Sequence, residues 1–189
     1  MSASPPQHDL PSVAGQFQIY GDFCEAAPYG SGHINDTYAV VFNQSGRPMR
    51  YLFQRLNARV FQDPAGLMDN VARVTAHIRR QLEAAGADPV SRRVLTLVPT
   101  RAGQCFYADA EGHHWRCYLF IEQARSYDWV ETPRQAFEAA RAFGRFQQQL
   151  ADLPAPPCAT PFPTSTTPAA GSTRCAGPSR GIPATAPPA

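Results

Sequence analysis

The sequence contains no lysine; all 17 of its basic residues are arginine. Any role usually given to an ammonium group must here fall to a guanidinium, which is planar, forked and permanently charged. With abundant alanine, proline and glycine, this absence points to a GC-rich gene. Long apolar runs are also missing, so no segment is suited to span a bilayer. Residues 1–16 lack a basic start followed by an apolar stretch. A signal peptide is therefore not expected, and the cytoplasm is the expected location. The five cysteines, Cys24, Cys105, Cys117, Cys158 and Cys175, form no Cys-x-x-Cys pair, and no histidine stands at ligand spacing from one. That pattern argues for free thiols in a reducing compartment and against a metal site. A net charge of +2 is too small to imply a nucleic acid or a membrane surface as partner. After Asp152 there is no Asp, no Glu and no His.

What is present suits one domain with a tail: 189 residues, 43% of them apolar. Residues 1–16 read as a flexible lead-in. Residues 17–27 suit a short helix or strand leading to a first strand. Residues 37–42 and 50–56 read as strands joined by a hairpin at 43–48. Asp63 and Pro64 provide an N-cap and a first helical residue. The positions Leu67, Val71, Val74, Ile78 and Leu82 then define one helical face, which ends at Gly86. Residues 94–98, 104–108 and 115–121 read as strands, and 122–131 as a connector. Thr132 and Pro133 cap a second helix, running to about residue 153. Its expected buried face is Phe137, Ala140, Phe143, Gly144 and Leu150. From residue 154 to 189 the composition is that of a disordered tail.

The stretch from Tyr29 to Tyr38 stands out. Gly30 and Gly32 permit positive φ and close approach to a ligand. Successive amides in such a turn can form a concave anion site. Ser31, Asn35 and Thr37 add side-chain donors. By itself the pattern also fits an ordinary β-turn; the elements that follow favour the ligand-covering reading. Residues 17–130 give an α+β arrangement, a five-stranded antiparallel sheet with one helix inserted after the third strand. That is the element order of the N-terminal lobe of protein-kinase-like phosphotransferases. Residues 17–121 would then be the lobe, 122–131 its hinge and 132–153 the first helix of a C-terminal lobe that the sequence otherwise lacks.

Particular motifs strengthen this. They are Tyr29-Gly-Ser-Gly-His-Ile-Asn-Asp-Thr-Tyr38, Phe53-Gln-Arg-Leu-Asn57, Val60-Phe-Gln-Asp-Pro64, Leu67-Met-Asp-Asn70 and Val74-Thr-Ala-His77. Trp115-Arg116, Phe120-Ile-Glu122 and Ala140-Arg-Ala-Phe-Gly-Arg-Phe-Gln147 follow in order. Together, over about residues 17–153, they resemble the aminoglycoside phosphotransferase and choline kinase superfamily, and within it the N-acetylhexosamine 1-kinase-like proteins. The resemblance implies ATP and Mg²⁺ as cofactors and transfer of the γ-phosphoryl group to a sugar hydroxyl. It also implies that Gly30, Ser31, Gly32, His33, Asn35 and Thr37 cover the phosphates, with Arg55 in place of the usual strand lysine. The helix glutamate that normally pairs with that cation has no good counterpart, since Glu83 lies in the last turn; Asp69 or Asn70 would substitute. Phe120, Ile121, Glu122 and Gln123 would form the adenine-binding hinge.

The same resemblance places the catalytic and Mg²⁺-binding aspartates in the C-terminal lobe. With no carboxylate after Asp152, no catalytic or metal residue is assigned, and the chain is expected to be incompetent alone. Re-read one base earlier, the implied codons of residues 157–168 permit Leu-x-Asp-Thr-Ile-Pro-Asp-Phe-His-His-Thr, a segment resembling what the family carries after this helix. An out-of-frame tail from about residue 154–157 follows as an expectation. Without a second lobe, Phe137, Phe143 and Phe146 would lie exposed and favour association. The competing readings are a non-catalytic nucleotide-binding remnant and a small α+β interaction module.

Overall fold

The computed structural model describes residues 8–32, 34–154, 156 and 158. Six strands form one antiparallel sheet: β1 (Asp22–Pro28), β2 (Asp36–Gln44), β3 (Arg47–Arg55), β4 (Leu97–Val98), β5 (Tyr107–Ala108) and β6 (His114–Leu119). The order across the sheet is β1, β2, β3, β6, β4, with β5 pairing only the first residues of β6. The sheet has six strands where five were expected; β5 is the two-residue remnant of the segment 104–108 that already read as a strand. Among the described residues three α-helices accompany it, α1 (Leu10–Ala14), α2 (Pro64–Ala84) and α3 (Pro133–Leu150), with a short 3-10 turn at Val90–Arg92.

Period-two alternation decides the two faces of the sheet. Tyr38, Val40 and Phe42 of β2, Tyr51 and Phe53 of β3, and Trp115 and Cys117 of β6 are buried on one face. Register aligns them, with Phe53 opposite both Tyr38 and Cys117. The N-terminal segment covers this face. Leu10, Val13 and Ala14 of α1, followed by Phe17 and Ile19, join the same core cluster. Phe17 is fully buried and meets the Phe53 ring edge-on at 5.3 Å.

This corrects the flexible lead-in expected over residues 1–16. Residues 8–16 are structured, and Asp9 caps α1 by accepting the Ser12 N–H at 3.1 Å. Five helical residues are too few to show a period in sequence. Their order comes from the sheet face they cover.

The opposite face carries α2. Asp63 accepts the Gly66 N–H at 2.9 Å, and Pro64 occupies the first turn as expected. Met68 is fully buried in a second cluster with Leu56 and Cys105. Of the anticipated stripe, Ile78 is buried, while Leu67, Val71, Val74 and Leu82 are half-buried. The far half of α2 meets the end of α3 through polar groups: His77 Nε2 lies 3.0 Å from Asp152 Oδ1, and Gln81 Nε2 donates to the same oxygen at 2.8 Å.

α3 starts as the sequence suggests, with a capping box between Thr132 and Gln135. Its anticipated buried face is not buried. No residue of α3 is, and Phe137 and Phe143 are 62% and 63% exposed. The amphipathic pattern is present, but nothing among the described residues covers it. The cysteine reading also needs one correction: Cys105 is disulfide-bonded, whereas Cys24, Cys117 and Cys158 are free. Spacing along the chain does not report which sulfurs meet in space.

The burial of Phe17 yields a measurable expectation. Phe17→Ala should lower the unfolding free energy by about 3–5 kcal/mol in urea titration. A change below about 1 kcal/mol would mean that the N-terminal segment is the frayed lead-in after all.

Candidate functional site

The glycine turn joins β1 to β2 at one end of the sheet. Gly30 has φ +85°, a left-handed conformation that a side chain would strain. Gly32 lies outside the left-handed region, so the expected need for φ > 0 holds at Gly30 alone. A Cβ at either position would meet no atom within 4 Å, so the turn stands clear of the protein beneath it. His33, counted among the phosphate-covering residues, lies outside the described residues. Ser31 Oγ donates to Asp128 Oδ1 at 2.7 Å, tying the turn to a connector 97 residues away in sequence. Asn35 Oδ1 accepts the Asn57 N–H at 3.0 Å, anchoring the other end of the turn to the chain that leaves β3.

Beneath the turn, the face of the sheet that carries α2 presents polar groups. Gln54 of β3 and Arg116 of β6 are register partners. Gln54 Nε2 donates to Thr37 Oγ1 at 3.1 Å, and Gln54 Oε1 accepts from Arg116 Nε at 3.0 Å. Arg116 reaches on to Met68 of α2, 3.9 Å from its sulfur. The row runs from the base of the glycine turn to the first turns of α2.

At the other end of this face lies the hinge. Arg50 stacks 4.0 Å above the Phe120 ring and forms an ion pair with Glu122. Tyr29, at the start of the glycine turn, meets Phe120 edge-on at 5.1 Å. The Arg50 guanidinium holds the Glu122 carboxyl below the usual carboxylate range. Of the four expected hinge residues, two already have backbone groups engaged. The Phe120 N–H donates to the Arg50 carbonyl at 3.2 Å, and the Glu122 carbonyl accepts from Arg92. Gln123 has φ +56° and turns the chain away from β6.

Arg55 points elsewhere. It follows Gln54, so it projects from the face that Tyr51 and Phe53 occupy. Its guanidinium pairs with Asp36, its register partner on β2, with Nε 2.6 Å from Oδ2. The partner expected for Arg55 was Asp69 or Asn70 on α2. Both sit on the helix that packs against the opposite face, and Asp69 forms an ion pair with Arg73 at 3.9 Å. Directly opposed strand residues meet with no intervening helix, so Asp36 takes that place. A cavity of about 410 Å³ opens on the Arg55 side, lined by Ile34, Asp36, Arg55, Arg59 and His113 among others. Leu56 and His114 line it as well, so it lies at the end of the sheet beside the glycine turn. The sequence reading missed Gln54, Arg116 and Asp128. For the first two the signal was available: if Tyr51 and Phe53 face a core, Gln54 faces away from it.

Among the described residues, no group of three or more His, Cys, Asp or Glu side chains gathers in a way that could hold a metal ion. With no acidic residue after Asp152, the donors present do not fit the Mg²⁺ that the resemblance implies. No helix among the described residues is long and apolar enough to cross a membrane.

An antiparallel sheet with a glycine turn over one end, a helix following the third strand and a connector leading to another helix defines a kinase-like N-terminal lobe. The chain belongs to the phosphotransferase enzyme family APH, whose family model matches residues 25–180. The match runs past residue 153, where the motif resemblance stops.

His8 lies against the Arg55 side, its ring edge-on to Trp115 at 5.1 Å and its Nε2 3.8 Å from Asp36 Oδ2. Burial, followed by the nearby Arg55 charge, lowers its pKa from the ordinary 6.5. Burial lowers that of His114 in the same direction. The unfolded chain therefore binds protons that the folded chain resists, and stability must fall as pH drops below about 6.5. Urea midpoints measured from about pH 7 to pH 5 should decline, and His8→Phe should flatten part of that decline. An unchanged slope in the variant would remove His8 from the account.

Proposed function

We propose that this chain supplies the nucleotide-binding lobe of an ATP-dependent phosphotransferase acting on a sugar hydroxyl, such as the anomeric hydroxyl of an N-acetylhexosamine. The observation that carries the reading is the glycine turn, tied to the connector through Ser31 and Asp128 above the aromatic pair Tyr29 and Phe120. Family membership gives the reaction type, and the motif resemblance gives the acceptor class. In this reading the adenine lies against backbone groups of residues 121–123, and the phosphates lie under the turn containing Gly30, Ser31 and Gly32. Thr37 stands at the base of that turn. Chemistry of this kind is positioning of an in-line transfer together with stabilisation of negative charge. The chain's own share is to hold the nucleotide and orient its phosphates.

The group that would take the hydroxyl proton is assigned to no residue here. In the family reading it belongs to the lobe after α3, where this sequence has no Asp, Glu or His. The chain alone is accordingly inactive. An out-of-frame tail from about residue 154–157 remains our explanation for that composition, supported by the codon re-reading. The family match continues to residue 180 and marks no break there. The nucleotide sequence across and beyond these codons tests the idea directly. No intact second frame encoding a kinase-like lobe would dispose of it.

Incubated with ATP, Mg²⁺ and N-acetylglucosamine or N-acetylgalactosamine, the 189-residue chain should form no sugar phosphate above an enzyme-free control. It should still bind ATP saturably in calorimetry. Sugar phosphate formation would overturn the assignment of chemistry to residues beyond α3. Absence of ATP binding would overturn the nucleotide-binding role.

A further inference from the structure

We infer that the phosphate-binding cation of this lobe is Arg116, positioned by Gln54, and not the neighbouring Arg55; the inference rests on the nucleotide-binding reading above. Of the four arginines on β3 and β6, Arg47 lies at the β2–β3 hairpin, and the settings of the other three differ. Arg55 lies on the face covered by the N-terminal segment, and its charge is compensated by the Asp36 carboxylate. Arg50 is on the correct face but stacks on Phe120 and pairs with Glu122 at the hinge. Arg116 shares the face with Arg50 and is held by neutral groups: Gln54 Oε1 at 3.0 Å, Met68 Sδ at 3.9 Å and the Tyr118 ring, 5.3 Å from the guanidinium carbon.

An arginine bound by neutral partners keeps its full charge for an anion, whereas one neutralised by a carboxylate must give that partner up. Gln54 makes the arrangement directional. Its amide accepts from Arg116 and donates to Thr37, so one planar group connects the guanidinium to the base of the glycine turn. Arg116 Nε is engaged by Gln54. Nη1 meets only the weak acceptor Met68 Sδ, so the two terminal nitrogens are the ones suited to parallel hydrogen bonds to phosphate oxygens. The ligand class is the oligophosphate of a nucleotide. Arg55, on the far face, is a structural cross-strand partner at the end of β2 and β3.

The test compares ATP with adenosine, which lacks every phosphate, using the full 189-residue chain in calorimetry. Wild type should bind ATP more tightly than adenosine. Arg116→Ala should weaken ATP binding by about 10- to 100-fold and leave adenosine binding unchanged. Arg116→Lys should retain part of the preference, and Gln54→Ala should weaken ATP selectively because it frees the guanidinium. Arg55→Ala should lower the melting temperature but keep the ATP-to-adenosine ratio within about twofold. Should Arg116→Ala not fold, as judged by circular dichroism, Arg116→Gln keeps the aliphatic stem and an uncharged amide donor and makes the same comparison. An Arg116 variant that folds and retains the full ATP preference overturns the inference while leaving the nucleotide-binding reading intact. So does an Arg55→Ala variant that loses the preference. A wild-type chain that binds neither ligand overturns both.

Discussion

The register of β3 is the constraint on which the rest of this molecule depends. β3 is central, flanked by β2 along its length and by β6 over residues 51–55. Its alternation sends Tyr51 and Phe53 into the core with Phe17, Trp115 and Cys117. The same alternation sends Arg50, Leu52 and Gln54 to the face that meets α2, the glycine turn and the hinge. A slip of one residue would exchange the two sets. It would bring Gln54 against Phe17 and take Phe53 out of the core. Burying the Phe53 ring, at about 25 cal/mol per Å² of apolar surface, outweighs any gain from placing a surface glutamine there.

The polar contacts around the site act mainly by fixing geometry. The ion pair of Arg50 with Glu122 is largely solvent-exposed, and pairs of that kind contribute about 0–1 kcal/mol. Arg50 stacks on Phe120, whose ring also meets Tyr29, so the start of the glycine turn and the start of the hinge share one aromatic contact. Ser31 and Asp128 close the same circuit farther out. Long-range contacts of a few atoms can shape a cleft between two loops without adding much to stability, because both loops are already anchored on the sheet.

The two ends of the chain contrast. At the N-terminal end, a five-residue helix with a modest sequence signal is well ordered because a broad aromatic face needs covering. At the other end, α3 has a strong cap and a clear apolar stripe, yet Phe137 and Phe143 stand in solvent. Local propensity and capping decide that a helix forms. Burial depends on whether a partner surface is present.

Much was legible in the sequence because it was written locally. Strands β2, β3 and β6, the caps of α2 and α3, the glycine turn and the connector all rest on spacing of a few residues. These same features carried the α+β lobe and the phosphotransferase family. The acidic partner of Arg55 was not legible in this way. Asp36 is 19 positions distant and reaches Arg55 only through the pairing of β2 with β3. Ser31 meeting Asp128 is a loop-to-loop contact of the same kind. The face on which Arg55 stands was not legible for a subtler reason: both faces of β3 carry apolar residues, so composition does not say which face is the core. The sequence by itself determined which elements form and what chemistry they carry. Only the tertiary structure decided which arginine faces α2, because in a strand one residue's step is the difference between the two sides of a sheet.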